Sequence, residues 1–225
     1  MYKKIVIVSI MALLVMSFIG CSKETEVSTE KSTDKLIECF NLTKNIDSVE
    51  VDLNTTTYGG QSEELNIHMK AENINSDLKS LITYSDEQEF YLSIKGNKAN
   101  LYMKDNSGSY TVVSKDKSEI GEFNIKKSFD GYIDIIEDYP DFVSKVDDNQ
   151  YLLEVPKEKI SEIYSEISGQ SLPVDLDSLE ILFTIGEEGY LKYVNLKINS
   201  EDISLDYNTK YFNYNKEFNI TLPDV

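Results

Sequence analysis

The chain has 225 residues, with 40 acidic and 22 basic side chains and a formal net charge of −18. A surface of this charge repels nucleic-acid phosphates, so we predict that no nucleic acid is a partner. All of the basic side chains are lysines, which leaves the protein without the bidentate arginine fork that binds phosphate and carboxylate groups.

The N-terminus has the pattern of a secretory signal. Lys3 and Lys4 precede an uninterrupted apolar run from Ile5 to Ile19, and Gly20 closes it. The run is shorter than the ~20 residues that a membrane-spanning helix needs. We therefore predict a signal peptide over residues 1–20.

The residues at the cleavage site resemble a bacterial lipoprotein lipobox, in which an apolar residue, a small residue, Gly or Ala, and Cys follow one another. Gly20 and Cys21, directly after Ile19, follow this pattern, and Phe18 stands where Leu is usual. The resemblance implies lipidation of Cys21 and a lipid-anchored protein on the outer, extracytoplasmic face of the cell membrane. Because one acyl chain anchors only marginally, the diacylglyceryl group expected of a lipoprotein would make the attachment stable.

Residues 21–33 are predicted to form a flexible tether, since Val27 is the one apolar residue in the polar and charged run of residues 22–33. Loss of Lys3 and Lys4 with the signal changes the net charge from −18 to −20. The remaining residues 34–225 are long enough for one domain with a sizeable core.

Histidine and cysteine, which most often act in catalysis as a base or a nucleophile, are scarce in this chain. Cys39 has no second cysteine left to pair with, and we predict that it is a buried small hydrophobe. The single histidine, His68, lies on the polar side of a predicted strand, where we expect a solvated side chain. The acidic groups Asp147-Asp148-Asn149 and Asp175-Leu176-Asp177 lack the spacing of a calcium loop. We predict no catalytic residue, no cofactor and no metal site, and thus a protein that is not an enzyme.

Hydrophobic periodicity predicts one amphipathic helix followed by strands. Residues 34–46 repeat apolar side chains every three or four positions, with Thr33 or Ser32 as the N-cap. A period of two then predicts an antiparallel meander joined by short turns. Its strands are expected over residues 49–55, 65–71, 78–84, 89–94, 99–103 and 110–113.

Two helices and a hairpin are expected in the second half. The spacing of Phe129, Ile133 and Ile136 predicts a helix that ends before Pro140. A second helix follows Pro156, over residues 157–167, and Gly169 ends it. Further strands are predicted over residues 151–155, 179–185, 190–198 and from residue 203 to about 214, with residues 186–189 as a four-residue hairpin loop.

Fifteen tyrosines are the remaining compositional feature. On a sheet they suit a surface that is half-exposed to water. The alternative is that tyrosines line the rim of a cavity for an apolar ligand. The strand tyrosines concerned are Tyr84, Tyr91, Tyr102, Tyr110, Tyr151, Tyr190, Tyr193 and Tyr207.

The lipobox, the tether, the first helix, the meander and the final Tyr214-Asn215-Lys216 and Ile220-Thr221-Leu222-Pro223 together resemble bacterial lipoproteins with the LolA/LppX-like fold, including Gram-positive families of uncharacterised function. The resemblance implies an α+β fold, an incompletely closed antiparallel β-barrel whose concave face is covered by a few helices, over residues 34–225. It also implies that the concave face carries a lipid or another apolar ligand. The sequence identifies no residues of the ligand cavity and no protein partner.

Two functions follow as hypotheses. The first is a membrane-anchored lipoprotein that binds or carries an apolar ligand in the half-barrel. The second is an anchored structural or protein-interaction lipoprotein of the cell envelope that has no ligand cavity. An apolar cavity would favour the first, and a filled core would favour the second.

Overall fold

The computed structural model describes residues 33–59, 62–86, 88–105, 107–117, 125–168, 176–201 and 204–225. The predicted signal peptide, the lipidation site Cys21, residues 21–32 of the tether and the helix-ending Gly169 lie outside these residues. Within the described ranges, no helix has both the length and the apolar character needed to cross a membrane.

The described part of the chain forms one antiparallel sheet whose strand order is β6-β5-β4-β3-β2-β1-β11-β10-β9-β8-β7. The order is that of two meanders joined where β1 pairs with β11, and it places β6 and β7 at opposite edges. The strands are β1 Ser48–Tyr58, β2 Glu63–Glu72, β3 Leu78–Tyr84, β4 Glu89–Lys95, β5 Lys98–Lys104, β6 Tyr110–Asp116, β7 Val143–Asp147, β8 Gln150–Val155, β9 Ser178–Ile185, β10 Leu191–Asn199 and β11 Ser204–Phe212.

Three α-helices in the described ranges pack on one face of this sheet, which we call the inner face. They are α1 Asp34–Thr43, α2 Ile125–Asp138 and α3 Ile160–Ser168. Short 3₁₀ turns, Pro140–Phe142 and Lys157–Lys159, precede β7 and α3. The predicted α+β fold, an open antiparallel half-barrel with helices covering one face, is confirmed.

The main core lies between the helices and the half of the sheet formed by β7–β11 and β1. Phe40 of α1 is fully buried and stacks on Phe129 and Tyr132 of α2, both at 5.7 Å between ring centroids. Phe183 of β9 meets Phe40 edge-on at 5.1 Å. Aromatic side chains bury large apolar areas, so this group fixes the helices against the sheet.

Thr43 joins the end of α1 to β10. Its hydroxyl is buried, donates to the carbonyl oxygen of Cys39 at 2.7 Å and accepts from the backbone nitrogen of Leu191 at 3.0 Å. The next residue, Lys44, pairs with Asp130 of α2 at 2.7 Å. These contacts position α1 across one end of the sheet.

Several boundaries differ from the prediction. Helix α1 ends at Thr43 instead of residue 46, and Thr33 forms no side-chain capping bond because its backbone is already helical, with φ −92° and ψ −12°. The hairpin loop includes Tyr190, since β10 begins at Leu191. Strand β7 was not predicted: it is a short edge strand directly after Pro140–Phe142, and four of its five side chains are exposed, so it lacks an alternating pattern.

Candidate ligand-binding surface

The inner face is buried unevenly along β2–β5. In each of these strands, the inner-face side chains are buried at one end and half-buried at the other. We call the buried end the closed end and the other the open end. On β2, for example, Ala71 at the closed end is 2% exposed, whereas Leu65 and Ile67 are half-buried.

The half-buried side chains of the open end form one continuous apolar surface. Register places Ile67 opposite Tyr84, Ile82 opposite Phe90, and Phe90 opposite Met103. The rings of Tyr84 and Phe90 are also in edge-on contact at 5.3 Å. We call this surface the open strip; it comprises Leu65, Ile67, Ile82, Tyr84, Phe90, Leu101 and Met103.

The closed end is covered by side chains from the connections and from the C-terminal segment. Ile46, which is 2% exposed, belongs to a second core with Val49, Ala71 and Ile94, and Ile74, Tyr190 and Tyr214 pack against it. Tyr190 and Tyr214 stack at 4.7 Å, and the Tyr214 hydroxyl donates to the carbonyl oxygen of Leu191. Burial raises the pKa of Tyr214 above that of an ordinary tyrosine, so the phenol remains a donor.

The C-terminal segment is held on the sheet beyond Tyr214. The backbone nitrogen of Asn215 donates to the carbonyl oxygen of Ser48 at 2.9 Å, and the Ser48 hydroxyl donates to the carbonyl oxygen of Lys216 at 2.6 Å. Further along, Ile220 is 7% exposed and its amide nitrogen donates to Glu72 at 3.2 Å. This segment therefore fixes the closed end from outside.

Two buried hydroxyls of the inner face have no hydrogen-bond partner among the described residues. They are Thr55 Oγ1 on β1, beside Leu65 of the open strip, and Ser80 Oγ on β3, beside Ala71. Both residues are almost fully buried, at 2% and 0% exposed. A buried hydroxyl without a partner is costly, so the inner face offers unused polar capacity next to the apolar surface.

Carboxylates stand at the open ends of these strands; Glu63 is on the inner face, whereas Glu89 is on the outer face with Tyr91. Glu63 lies two residues before Leu65, Asp86 two after Tyr84, and Asp105 two after Met103, while Glu89 directly precedes Phe90. Among the described residues none of these four forms an ion pair. Hydrogen bonds from Ser107, which include one from its hydroxyl, lower the pKa of Asp105 below its usual value, and this carboxylate is therefore anionic at neutral pH.

The tyrosines divide between several environments. Tyr84 lies on the open strip, whereas Tyr151 and Tyr207 are buried in the main core. Tyr91 and Tyr102 face each other in register on the opposite, outer face. The expected half-exposed sheet surface therefore applies to Tyr91 and Tyr102, and the alternative, a position on a candidate ligand surface, applies to Tyr84.

Cys39 is buried as predicted, at 1% exposed. Burial raises the pKa of its thiol from 9.0 to about 12, which outweighs the opposing effects of Thr43 and Lys35. The thiol is therefore neutral in the folded protein and is not an activated nucleophile.

His68 differs from the expected solvated side chain. It is on the outer face as predicted, but Nδ1 lies 2.7 Å from Oδ1 of Asp52 and Nε2 lies 3.0 Å from Oε1 of Glu50. The two acids are on the neighbouring strand, two residues apart. Sequence reasoning missed this cluster because the pairing of β1 with β2 was needed to align Asp52 with His68.

One acid of each short acidic group pairs with a lysine. Asp148 pairs with Lys145 at 3.1 Å, and Asp177 pairs with Lys157 at 2.5 Å. In the described ranges, no three histidine, cysteine or acidic side chains are arranged to hold a metal ion. Asp175 lies outside those ranges.

Comparison with known proteins gives similarity to solved structures. The lipoprotein LppX of Mycobacterium tuberculosis has a TM-score of 0.45 and 14% sequence identity, over 83% of this chain and 96% of that chain. A LolA superfamily protein of Nitrosomonas europaea has a TM-score of 0.31 and 9% identity, over 87% and 96%. A Vibrio parahaemolyticus domain described as an outer membrane lipoprotein-sorting protein has a TM-score of 0.34 and 9% identity, over 82% and 93%.

No family model matches the sequence, and neither does any curated protein. Identities this low transfer no residue role, so the site is argued from this chain's own side chains. The assignment to a Gram-positive family stays a prediction. The names of these similar structures include LppX and the LolA superfamily. The order of the predicted elements in the sequence resembled the same LolA/LppX-like fold.

Proposed function

We propose that this protein binds an apolar ligand, such as a lipid chain, on the open strip. The observation that carries the proposal is the burial gradient along β2–β5. Aliphatic and aromatic side chains of the open end are left half-buried on the same face whose closed end is fully packed. Contiguous apolar surface on a soluble domain marks an interaction site.

The shape of the surface favours a chain-like ligand that enters from one side. The closed end is filled by Ile46, Ile74, Tyr190 and Tyr214, so the apolar part of a ligand would lie along the strip and stop there. Burying ~200 Å² of apolar ligand surface contributes about 5 kcal/mol before the costs of association.

The proposed location is the outer face of the cell membrane, with Cys21 as the lipidated residue and residues 21–33 as the tether. Support comes from the signal pattern and the lipobox resemblance at Ile19-Gly20-Cys21. A Cys21→Ala variant is expected to stay unprocessed or to be released from the membrane, as measured by fractionation of intact cells. Unchanged processing and retention would contradict the anchor.

A matched pair of variants tests the ligand site. Ile82 lies on the open strip, and its neighbour Leu81 is also half-buried but faces the outer side of the same strand. Ile82→Glu is expected to abolish binding of a fluorescent long-chain alcohol to the purified protein, whereas Leu81→Glu leaves it intact. Circular dichroism of both variants checks that they remain folded.

Lipid extraction and mass spectrometry of the protein from its producing cell form an independent test. Recovery of a stoichiometric apolar molecule from the wild type, and its loss from Ile82→Glu, is the expected result. If the wild type neither retains such a molecule nor binds the fluorescent alcohol, the proposal is wrong.

One observation favours the alternative function, an anchored protein-interaction lipoprotein. On the outer face, Leu81, Tyr91, Tyr102 and Val112 form a row in direct register across β3–β6, and Val112 is 40% exposed. Site-specific photo-cross-linking from position 102 in intact cells tests this row. A protein that is reproducibly cross-linked would support the alternative, and the absence of any cross-linked protein would count against it.

A further inference from the structure

The two edges of the sheet differ in how well they are protected from a further strand. Strand β7 has five residues, and its register with β8 shifts between Lys145 and Asp147. Short length and irregular register both hinder pairing at an edge. Strand β6 has seven residues in unbroken register with β5, six of them exposed, and residues 110–114 include no charge and no proline. The β6 edge therefore lacks the usual protection.

Hydrogen bonds show which backbone groups of β6 point away from the sheet. The backbone nitrogen of Lys117 donates to the carbonyl oxygen of Asn97 at 2.9 Å, and that of Asp105 donates to Ser109 at 2.8 Å, both in the register of β5 with β6. Hydrogen-bonded and non-hydrogen-bonded pairs alternate in an antiparallel ladder, so the odd-numbered residues of β6 bond to β5. Its even-numbered residues direct their backbone groups outward, where no other strand of the described residues lies.

This edge is complementary to a second copy of itself. Two β6 strands related by a two-fold axis at Val113 pair antiparallel over all of residues 110–116. Even-numbered residues then lie opposite even-numbered residues, so that outward N–H groups meet outward C=O groups. Val113 faces Val113 of the second copy, and Lys115 lies opposite Thr111, so no like charges are opposite each other in the strand pair.

Opposite charges meet at both ends of this strand pair. The register places Asp116 opposite Tyr110 of the second copy, and in each copy the Lys104 ammonium lies 5.7 Å from the centroid of the Tyr110 ring. Asp116 of one copy therefore lies near Lys104 of the other, and the two-fold axis repeats the contact. The net charge of −18 repels two copies at long range, whereas the contact itself has complementary charges.

We propose that two copies of this chain associate by antiparallel pairing of their β6 strands about Val113. The proposal goes beyond ligand binding and does not depend on it. It has a consequence for the open strip, because Val113 lies opposite Leu101 in register on the inner face. In the pair, Leu101 and Val113 of one copy continue directly into Val113 and Leu101 of the other.

The size of the contact sets the expected strength. A seven-residue strand is ~24 Å long, and an interface one strand wide is smaller than the ~1,200 Å² that stable dimers bury. We therefore expect a dissociation constant on the order of 10–100 µM for the purified protein. Anchoring of the chain to a membrane, as proposed, would raise the local concentration of the copies, so the pair should form more readily in cells.

Cysteine cross-linking in intact cells tests the register. The two Val113 positions form a non-hydrogen-bonded pair with Cα atoms about 4.5 Å apart, within the range of a disulfide of ~4.4–6.8 Å. Val113→Cys is expected to give a covalent dimer on oxidation with copper–phenanthroline. Thr111→Cys, also exposed on β6, is the matched control, since the two Thr111 positions lie roughly 14 Å apart in this register. Wild-type protein measures the background from Cys21 and Cys39.

Sedimentation velocity of the purified protein is the second test. The wild type is expected to shift from monomer to dimer between about 2 µM and about 300 µM. Val113→Lys places two ammonium groups across the axis and should abolish the shift. Val146→Lys makes the same change of charge at a 56% exposed valine of the opposite edge strand and should retain it. Circular dichroism checks that both variants remain folded.

Each contrary result overturns the proposal. No covalent dimer from Val113→Cys, or as much from Thr111→Cys, would exclude this register. Cross-linking of Val113→Cys to a different protein alone would mean that the edge accepts a foreign strand and not a second copy. A wild type that remains monomeric at every concentration, or equal weakening by the two lysine variants, would exclude association through β6. None of these readouts depends on the ligand, so the proposed function is tested separately.

Discussion

Nδ1 of His68 lies 2.7 Å from Oδ1 of Asp52, its partner in register on β1. Glu50 Oε1 is 3.0 Å from the other ring nitrogen and also 3.6 Å from Lys70. Glu50 Oε2 in turn accepts from the side-chain amide of Asn213 at 2.6 Å, at the start of the C-terminal segment. The cluster therefore connects β1, β2 and the end of the chain.

Replacing His68 by alanine is expected to lower the free energy of unfolding by about 1–2 kcal/mol. The side chain is partly exposed, but its loss removes the hydrogen bond with Asp52 and the 3.0 Å contact with the well-buried Glu50. Urea denaturation measures the change. Asn66→Ala, an exposed outer-face site on the same strand, is the control and should stay within about 0.5 kcal/mol. Equal small effects would show that the cluster contributes nothing.

Leu92 and Leu101 provide a direct measurement of the burial gradient, since they are opposite each other in register on the inner face. Leu92 is 5% exposed, whereas Leu101 is half-buried on the open strip. Leu92→Ala is expected to cost about 2–4 kcal/mol of stability, and Leu101→Ala less than half as much. Equal losses in thermal or urea unfolding would mean that the strip is packed and not open.

Alkaline pH is expected to destabilise the fold through Cys39. Its pKa rises from 9.0 to about 12 on folding, because burial disfavours the thiolate. The stability that comes from the neutral thiol is therefore complete below pH 9 and is lost progressively as the pH rises towards about 12. Tyr132 and Tyr207, whose pKa values burial raises from 10.0 to about 12, act in the same direction from pH 10 upwards.

The Cys39→Ala variant separates the contribution of the thiol to this pH dependence from that of the tyrosines. Urea midpoints of the wild type and the variant, measured from about pH 8 to about pH 11, should fall less steeply in the variant. The tyrosines account for the slope that remains. Parallel curves would show that Cys39 titrates in the folded protein as it does in the unfolded chain.

The Tyr214 hydroxyl is expected to stabilise the closed end. Tyr214→Phe keeps the ring that stacks on Tyr190 but removes the partly buried hydrogen bond to the Leu191 carbonyl, at a cost of about 1–2 kcal/mol. Protection of the C-terminal segment from carboxypeptidase should fall in parallel. Tyr58→Phe, at a 51% exposed position, should change neither quantity.

A comparison of Ser80 with Ser48 tests whether the unpartnered hydroxyl of Ser80 lowers the stability of the fold. Ser80 is 0% exposed without a partner among the described residues, whereas Ser48, at 5% exposed, donates to the Lys216 carbonyl. Ser80→Ala is expected to leave stability unchanged or to raise it by up to about 1 kcal/mol, and Ser48→Ala to lower it by about 1 kcal/mol. Calorimetric midpoints decide, and destabilisation by Ser80→Ala would reveal a partner for the hydroxyl.

The strands were predictable because alternation is a local property. The predicted bounds of β3, Leu78–Tyr84, are the observed ones. The turn residues Gly96-Asn97 lie between β4 and β5, as predicted. The same property hides the site. Leu92 and Leu101 alternate with polar neighbours in the same way, and their different burial depends on side chains that arrive from Ile46, Tyr190 and Tyr214. These residues lie far apart in the sequence, and Tyr214 is 122 positions beyond Leu92.

The His68 cluster was unpredictable for a related reason. With 40 acidic residues in the chain, proximity of some acid to the histidine carries no information until register is known. The unpredicted strand β7 shows the limit for an edge element: it pairs with β8 alone, and no buried face imposes alternation on it.

Helix α1 also determines the direction from which an anchor would hold the domain. Lys35, in its first turn, donates to the backbone of Asp148 at 3.1 Å and to Asn149 at 2.7 Å, in the β7–β8 turn at the closed end. An anchor at Cys21 would thus pull on the end opposite the proposed ligand entrance. Twelve residue steps separate Cys21 from Thr33, a reach of at most ~40 Å, comparable to the ~35 Å length of an eleven-residue strand such as β1. The anchored domain would therefore have just enough chain to turn over and present its entrance to the bilayer, and shortening residues 22–32 would hold that entrance away from the membrane.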